Sequence, residues 1–259
     1  MPSLFVAHGS PMLAVEENAY TNLLGELGKA WRPKAILLFS AHWESDTQMV
    51  STVGEYRTIY DFGGFPEALY RIQYPARGDA ALAQEVGRLL GEQGISYRFD
   101  SQRGLDHGAW VPLRRIYPDA GVPVISMSVD AALRPQEQYA IGKALAGLRA
   151  QDVMVIGSGV TVHNFGTIRF RAPGNEADAW AVEFDDWVLS RAAAWDLDSL
   201  FDYEERAPHA RLAVPPQGNE HFVPLFYAMG AADDQRSCKE LHRSYQYGNL
   251  SHVVWQFGG

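Results

Sequence analysis

Three apolar runs of strand length each lead into a histidine: Ser3-Leu-Phe-Val-Ala-His8, Ala35-Ile-Leu-Leu-Phe-Ser-Ala-His42 and Val153-Met-Val-Ile-Gly-Ser-Gly-Val-Thr-Val-His163. In an open α/β sheet the binding crevice lies outside the carboxyl ends of the parallel strands, so residues far apart in sequence meet there when each sits just past a strand. Histidine is the commonest metal ligand, and several imidazoles converging on such a crevice make a metal pocket.

Periodicity predicts strands at about Ser3 to Ala7, Ala35 to Ser40, Met49 to Val53, Val122 to Val129, Val153 to Gly157 and His252 to Phe257. Helices are expected at about Ala19 to Ala30, Asp79 to Gln93, Pro135 to Ala150, Glu176 to Ala194 and Glu220 to Gly230. In the third of these, Pro135 suits the first helical position, and Ile141, Leu145 and Leu148 share one face. The alternation predicts an α/β fold: a three-layer α/β/α sandwich around a mostly parallel sheet. With no dividing linker or low-complexity tract, one domain over residues 1–259 is expected.

Composition narrows the chemistry. A net charge of -9 lacks the basic footprint that nucleic-acid backbones require. Cys238 is the only cysteine, which excludes an intrachain disulfide, an iron–sulfur cluster and a thiolate-rich zinc site. A metal must therefore use imidazole and oxygen. Neither a signal-peptide pattern nor an apolar run of about 20 residues occurs, so the expectation is a cytoplasmic protein without membrane contact.

His8, in Ala7-His8-Gly9-Ser10-Pro11, stands where glycine and proline turn the chain after a strand, and His42, in Ser40-Ala41-His42-Trp43-Glu44, has a comparable setting. A single histidine at a strand end is more often just a hydrogen-bonded residue; two reinforce each other. Asn219-Glu220-His221-Phe222 offers a carboxylate and an imidazole side by side, and at a helix start their directions diverge by roughly 100°, so one faces the site and the other supports it. The same residues also suit an ordinary helix start, with Asn219 as cap and Glu220 in the first turn. His163 is a candidate fourth ligand or a general base, since an imidazole of pKa about 6.5 suits proton transfer near neutrality. His107, in Leu105-Asp106-His107-Gly108-Ala109-Trp110, either contacts substrate or oxygen or is a structural loop histidine. His209, His242 and His252 have no comparable setting.

Between Thr47 and Pro75, the stretch Ile59-Tyr60-Asp61-Phe62-Gly63-Gly64-Phe65-Pro66 interleaves rings with glycines, as either a substrate-lining loop or a loop packed on the core. Gly157-Ser158-Gly159 lacks the spacing of a nucleophile elbow, Ser10 has no oxyanion-hole motif beside it, and no dinucleotide or Walker motif occurs.

Taken in order, His-Gly-Ser-Pro at His8, Ser-Ala-His-Trp at His42, Asp-Phe-Gly-Gly-Phe-Pro from Asp61, Asp-His-Gly-Ala-Trp at His107, Val-His-Asn at His163 and Glu-His-Phe-Val-Pro-Leu at His221 resemble the class III extradiol ring-cleavage dioxygenases, in the branch related to 4,5-DOPA dioxygenase. The resemblance covers nearly the whole chain. It implies metal ligation by His8, His42 and His221, with Glu220 the rival third ligand. It also implies His163 beside the metal as the acid–base residue and His107 against substrate or oxygen. Ferrous iron is implied for dioxygenase activity, with zinc as the alternative occupant, and His163 counts as a ligand in the zinc form. The partners implied are a catechol and dioxygen, and a homo-oligomer is compatible with the sequence. Three neutral imidazoles would leave the full dipositive charge on the metal and favour an anionic catecholate. Arg57, Arg71 and Arg77 do not identify a substrate carboxylate, because arginines are usually solvated surface residues. Two other classes use the same residues: a zinc-dependent hydrolase acting through metal-bound hydroxide, and a non-catalytic metal-binding interaction protein.

Overall fold

The computed structural model describes residues 1–170 and 176–259. Its strands are β1 (Ser3–Ala7), β2 (Ala35–Glu44), β3 (Gln48–Ser51), β4 (Tyr97–Asp100), β5 (Val124–Val129), β6 (Val153–Gly159), β7 (Cys238–Gln246) and β8 (Leu250–Phe257), joined in one sheet of order β4-β3-β5-β2-β6-β1-β8-β7. The four central strands β5, β2, β6 and β1 are mutually parallel, whereas β8 and β7 extend one side antiparallel. On the other side β3 meets β5 antiparallel and pairs with β4 in parallel. The helices are α1 (Ala19–Ala30), α2 (Ala80–Glu92), α3 (His107–Ile116), α4 (Pro135–Ala144), α5 (Ala179–Ala194), α6 (Leu197–Phe201), α7 (Tyr203–Arg206), α8 (Ala210–Ala213) and α9 (Pro224–Gly230).

The central strands are apolar on both faces because helices cover both. Phe5, Leu37, Phe39, Ile125, Met127 and Val155 face one buried cluster, shared with α2, α4, α5 and α9. Their neighbours Leu4, Val6, Ile36, Leu38, Val124 and Ile156 face the other, shared with α1 and α3. This is the expected mostly parallel α/β/α sandwich. Among the described residues no helix is long and apolar enough to cross a membrane.

Several boundaries differ from expectation, each for a local reason. β2 continues to Glu44, so His42 lies within the strand rather than past it. The helix expected to reach Ala150 leaves α geometry at Leu145 and closes as a 3₁₀ turn over Ala146–Gln151, a common way to end a helix. The helix expected from Glu176 begins at Ala179, because the Asp178 N–H is tied to the Gly248 carbonyl at 2.7 Å in extended backbone. The segment expected as one helix from Glu220 is a 3₁₀ turn, Asn219–His221, followed by α9, where Pro224 lacks an N–H and occupies a first-turn position. α3 is absent from the helices expected from periodicity, and is capped by Asp106, whose side chain accepts from the Ala109 N–H.

Candidate metal centre

The carboxyl ends of β1, β2 and β6 deliver the predicted histidines to one cavity of about 420 Å³. His8 follows β1 directly, and its N–H donates to the Gly159 carbonyl at 3.1 Å, an extension of the β1–β6 pairing. His42 projects from β2. His221 ends the 3₁₀ turn that crosses the end of β6, where the Val160 N–H donates to the His221 carbonyl at 2.7 Å. Gly159 allows this crossing, since a Cβ there would lie 2.2 Å from that carbonyl oxygen. Gly108, at the start of α3, has the same role toward β2: a Cβ would lie 2.8 Å from His42 Cδ2 and 2.9 Å from Ser40 Oγ.

Three Nε2 atoms meet. His8 Nε2 lies 3.1 Å from His42 Nε2, which lies 3.3 Å from His221 Nε2. His107 belongs to the same cluster: ring nitrogens of His8, His42 and His107 all lie within 4.8 Å of one another, and the ring centroids of His42 and His107 are 4.0 Å apart. Two imidazole triplets therefore share His8 and His42. One includes His221, whose Nδ1 has an aligned partner in Glu220 Oε1 at 2.8 Å. Glu220 thus sits on the Nδ1 side of His221, away from the three Nε2 atoms. His107 Nδ1 is 3.0 Å from Asp61 Oδ1 but without hydrogen-bond alignment, and that oxygen accepts the His107 backbone N–H at 2.9 Å. Asp61 Oδ2 lies 3.4 Å from His42 Nδ1.

His163 stands differently. Its ring stacks on that of His221, with centroids 3.7 Å apart and planes within 7°. An ion needs in-plane lone pairs at roughly 2.0–2.1 Å. Parallel stacked rings direct their in-plane lone pairs into parallel planes rather than at one point. Its backbone N–H is held by the Ala213 carbonyl at 3.1 Å.

The electrostatics keep His8, His42 and His163 neutral. Burial, and then the neighbouring His42 and His221, hold His8 well below the ordinary histidine range. Burial followed by His107 and His221 lowers His42 to about 2, and burial with His221 lowers His163 to about 3. Burial alone would raise Asp61, but the adjoining His107 and His42 bring it down to about 2. Glu220 is likewise lowered, its own burial being outweighed by His221. Neutral imidazoles with carboxylates behind them are the protonation states a cation requires.

Aromatic rings wall the cavity. Phe62 meets His107 edge-on with centroids 5.7 Å apart and packs on Phe65 at 5.4 Å, so the glycine-rich loop lines the site. Phe165 meets His163 at 4.7 Å and, with Phe170, is about 70% exposed at the rim. Asp61, Phe165 and Ser158 were not singled out from the sequence. Asp61 stood within the quoted motif, whereas Ser158, weighed from the sequence only as a nucleophile, meets His8 Nδ1 at 3.4 Å, a contact with no local signal. His209 and His242 lie outside this cavity, paired with Glu183 and Ser244, and His252 is buried behind Gly9.

The family model described as the catalytic LigB subunit of aromatic ring-opening dioxygenase matches residues 2–255. A Beta vulgaris protein named 4,5-DOPA dioxygenase extradiol is 39% identical over 265 residues, covering 98% of this chain and 96% of that one. An Escherichia coli K12 protein of the same name is 36% identical over 263 residues, covering 100% and 95%. The crystal structure of an uncharacterized E. coli K12 protein matches with a TM-score of 0.84 and 31% identity over 100% of both chains.

Proposed function

This chain belongs to the LigB family of aromatic ring-opening dioxygenases, and on that premise we propose that it cleaves a catechol beside one hydroxyl-bearing carbon, inserting both atoms of dioxygen. The observation that carries the reading is the approach of His42 Nε2 to the Nε2 atoms of His8 and His221, at 3.1 and 3.3 Å. With Glu220 accepting the His221 Nδ1–H, Nε2 of that ring is left as a bare lone pair, and a cation relieves the crowding of such lone pairs. His8, His42 and His221 are the ligands in this reading. Ferrous iron held there would supply chelation of both catechol oxygens and the redox step with dioxygen, which zinc does not offer.

The chain's own residues do the rest. His163, neutral and held beside His221 off the ligand set, takes the proton of a catechol hydroxyl and returns it as the ring opens. His107, anchored through its backbone to Asp61, steadies the oxygen or a substrate hydroxyl. Phe62 and Phe65 keep water from one side of the reacting ring, while Phe165 and Phe170 line the path for its substituent. The partners are small molecules, the catalytic unit is the whole of residues 1–259, and the setting is cytoplasmic.

Anaerobically iron-loaded protein in an oxygen electrode tests this. Addition of catechols, DOPA and protocatechuate among them, is expected to draw one dioxygen per ring opened, and His163→Ala to remove most of that uptake. Absence of uptake with every catechol, or metal-dependent ester or amide hydrolysis independent of oxygen, would replace the reading with a zinc hydrolase.

A further inference from the structure

Away from the histidines the cavity changes character. Five histidines and Asp61 gather at its inner end, and from His163 outward the wall is Phe165, Ile168 and Phe170 on one segment and Tyr247 and Leu250 on the β7–β8 hairpin. The two segments are fastened together: the Arg169 N–H donates to the Tyr247 carbonyl at 2.9 Å, and Asn249 Nδ2 donates to the Thr167 carbonyl at 2.8 Å. Phe170 also packs on Tyr247, with centroids 5.2 Å apart. Phe165 and Phe170, at 70% and 69%, are the most exposed large apolar side chains among the described residues. Exposed apolar surface rimming a reaction cavity marks a place where ligand is covered.

The cavity, about 420 Å³, is of a size that takes drug-sized ligands, so a ring substituent has room. A catechol held by its hydroxyls at the inner end turns its far side, and any substituent there, toward the apolar wall. We propose that the substrate is a catechol whose ring substituent is uncharged and apolar, an alkyl or aryl group lying against Phe165, Ile168, Phe170, Tyr247 and Leu250. This deepens the catechol reading above and rests on it. Each methylene that leaves water for these side chains strengthens binding by about two- to fourfold. An ionised substituent loses water there at a cost, without a matching partner among the described residues. Arg169 is already paired with Asp178 and does not line the cavity, and Asp61 is held at the inner end by the His107 backbone N–H. DOPA would set an ammonium and a carboxylate among the same rings.

The test is calorimetric titration of the zinc-loaded full chain, which can hold a catechol without the redox step, with 4-methyl-, 4-ethyl-, 4-propyl- and 4-butylcatechol. Kd is expected to fall by about two- to fourfold per methylene, with a heat-capacity change that grows more negative along the series. Dopamine and 3-(3,4-dihydroxyphenyl)propionate match the propyl and butyl compounds in size but carry a charge. Each should bind more weakly than its alkyl counterpart, by about tenfold or more, and DOPA more weakly than either alkyl compound. Phe165→Ser and Phe170→Ser change exposed positions and leave the core intact; each should reduce the gain per methylene, and the double variant should remove most of it. With iron-loaded protein in the oxygen electrode, kcat/KM should follow the same order. Equal or tighter binding of a charged compound, a flat methylene series, or a gain unchanged in the double variant would overturn the proposal. A flat series beside steady ring opening would overturn this inference alone. A retained methylene gain with no oxygen uptake on any catechol would instead overturn the ring-opening reading and leave the wall as a binding surface.

Discussion

At the scale of single residues, burial decides what each histidine does. His252 stacks on Tyr20, with centroids 4.9 Å apart and planes at 15°, and its buried Nε2 has no partner among the described residues. Burial, with a smaller contribution from His242, lowers its pKa to about 4. The unfolded chain therefore binds a proton there that the folded chain refuses, between about pH 6.5 and 4. The sign follows: the contribution is whole above pH 6.5 and is lost as pH falls through that window, by about 3 kcal/mol. Urea unfolding at a series of pH values should show His252→Gln with a shallower acid limb than the wild type; parallel limbs would refute the assignment. The same scale shows what a linear reading can find. His8, His42, His107, His163 and His221 were legible because each sits in a short motif at an element end. Ser158 meets His8 only through space, and nothing in its sequence neighbours marks that contact.

At the scale of elements, close helix packing depends on two glycines. A Cβ at Gly142 of α4 would lie 2.0 Å from the Tyr227 carbonyl oxygen of α9, and one at Gly230 of α9 would lie 2.0 Å from that of Tyr139. Helix propensity alone would favour Gly142→Ala by roughly 1 kcal/mol. Backbone contact reverses the sign, and the variant should be less stable by about 1–3 kcal/mol, a loss visible as a lower urea midpoint at unchanged slope. A raised midpoint would show that the helices can separate cheaply. The elements missed in sequence share one cause, competition between local signal and tertiary setting. Proline inside α3 reads as a break, yet Ser158 satisfies the carbonyl it frees. β4 and β7 are half-exposed edge-side strands rich in charged residues, Tyr-Arg-Phe-Asp and Cys-Lys-Glu-Leu-His-Arg, and so lack the continuous apolar run that made the central strands plain. The long aromatic loop was open between two readings, and the contact of Phe62 with His107 places it on the cavity wall.

At the scale of the whole molecule, the expected architecture held because the central strands must be apolar on both faces, a pattern that only two covering layers of helices explain. The strand order was not legible, since antiparallel addition of β8 beside β1 is decided by which edge remains open. The three ligand candidates come from chain segments that the sheet alone holds together, so binding of a divalent ion should stabilise the fold as a unit. At a free metal concentration 100 times Kd the gain is about 2.7 kcal/mol, or roughly 5–10 °C in Tm for a chain of this size. Differential scanning fluorimetry of metal-free protein with added Fe(II) under argon should show that shift, and His221→Ala should abolish it. An equal shift in His221→Ala would move the third ligand to His107.

The crossing of His221 over the end of β6 also sets an order of events in time. His8 and His42 leave the ribosome early, whereas His221 follows His8 by about 210 residues, or roughly 10–40 s of synthesis. β1 meanwhile waits for its two neighbours, β6, which is translated before His221, and β8, which is translated after it. Until His221 is made, the proposed ligand set holds two of its three imidazoles, with His107 already translated beside them. In the proposed ligand set, completion of the site therefore waits on a segment translated long after the sheet's first strands.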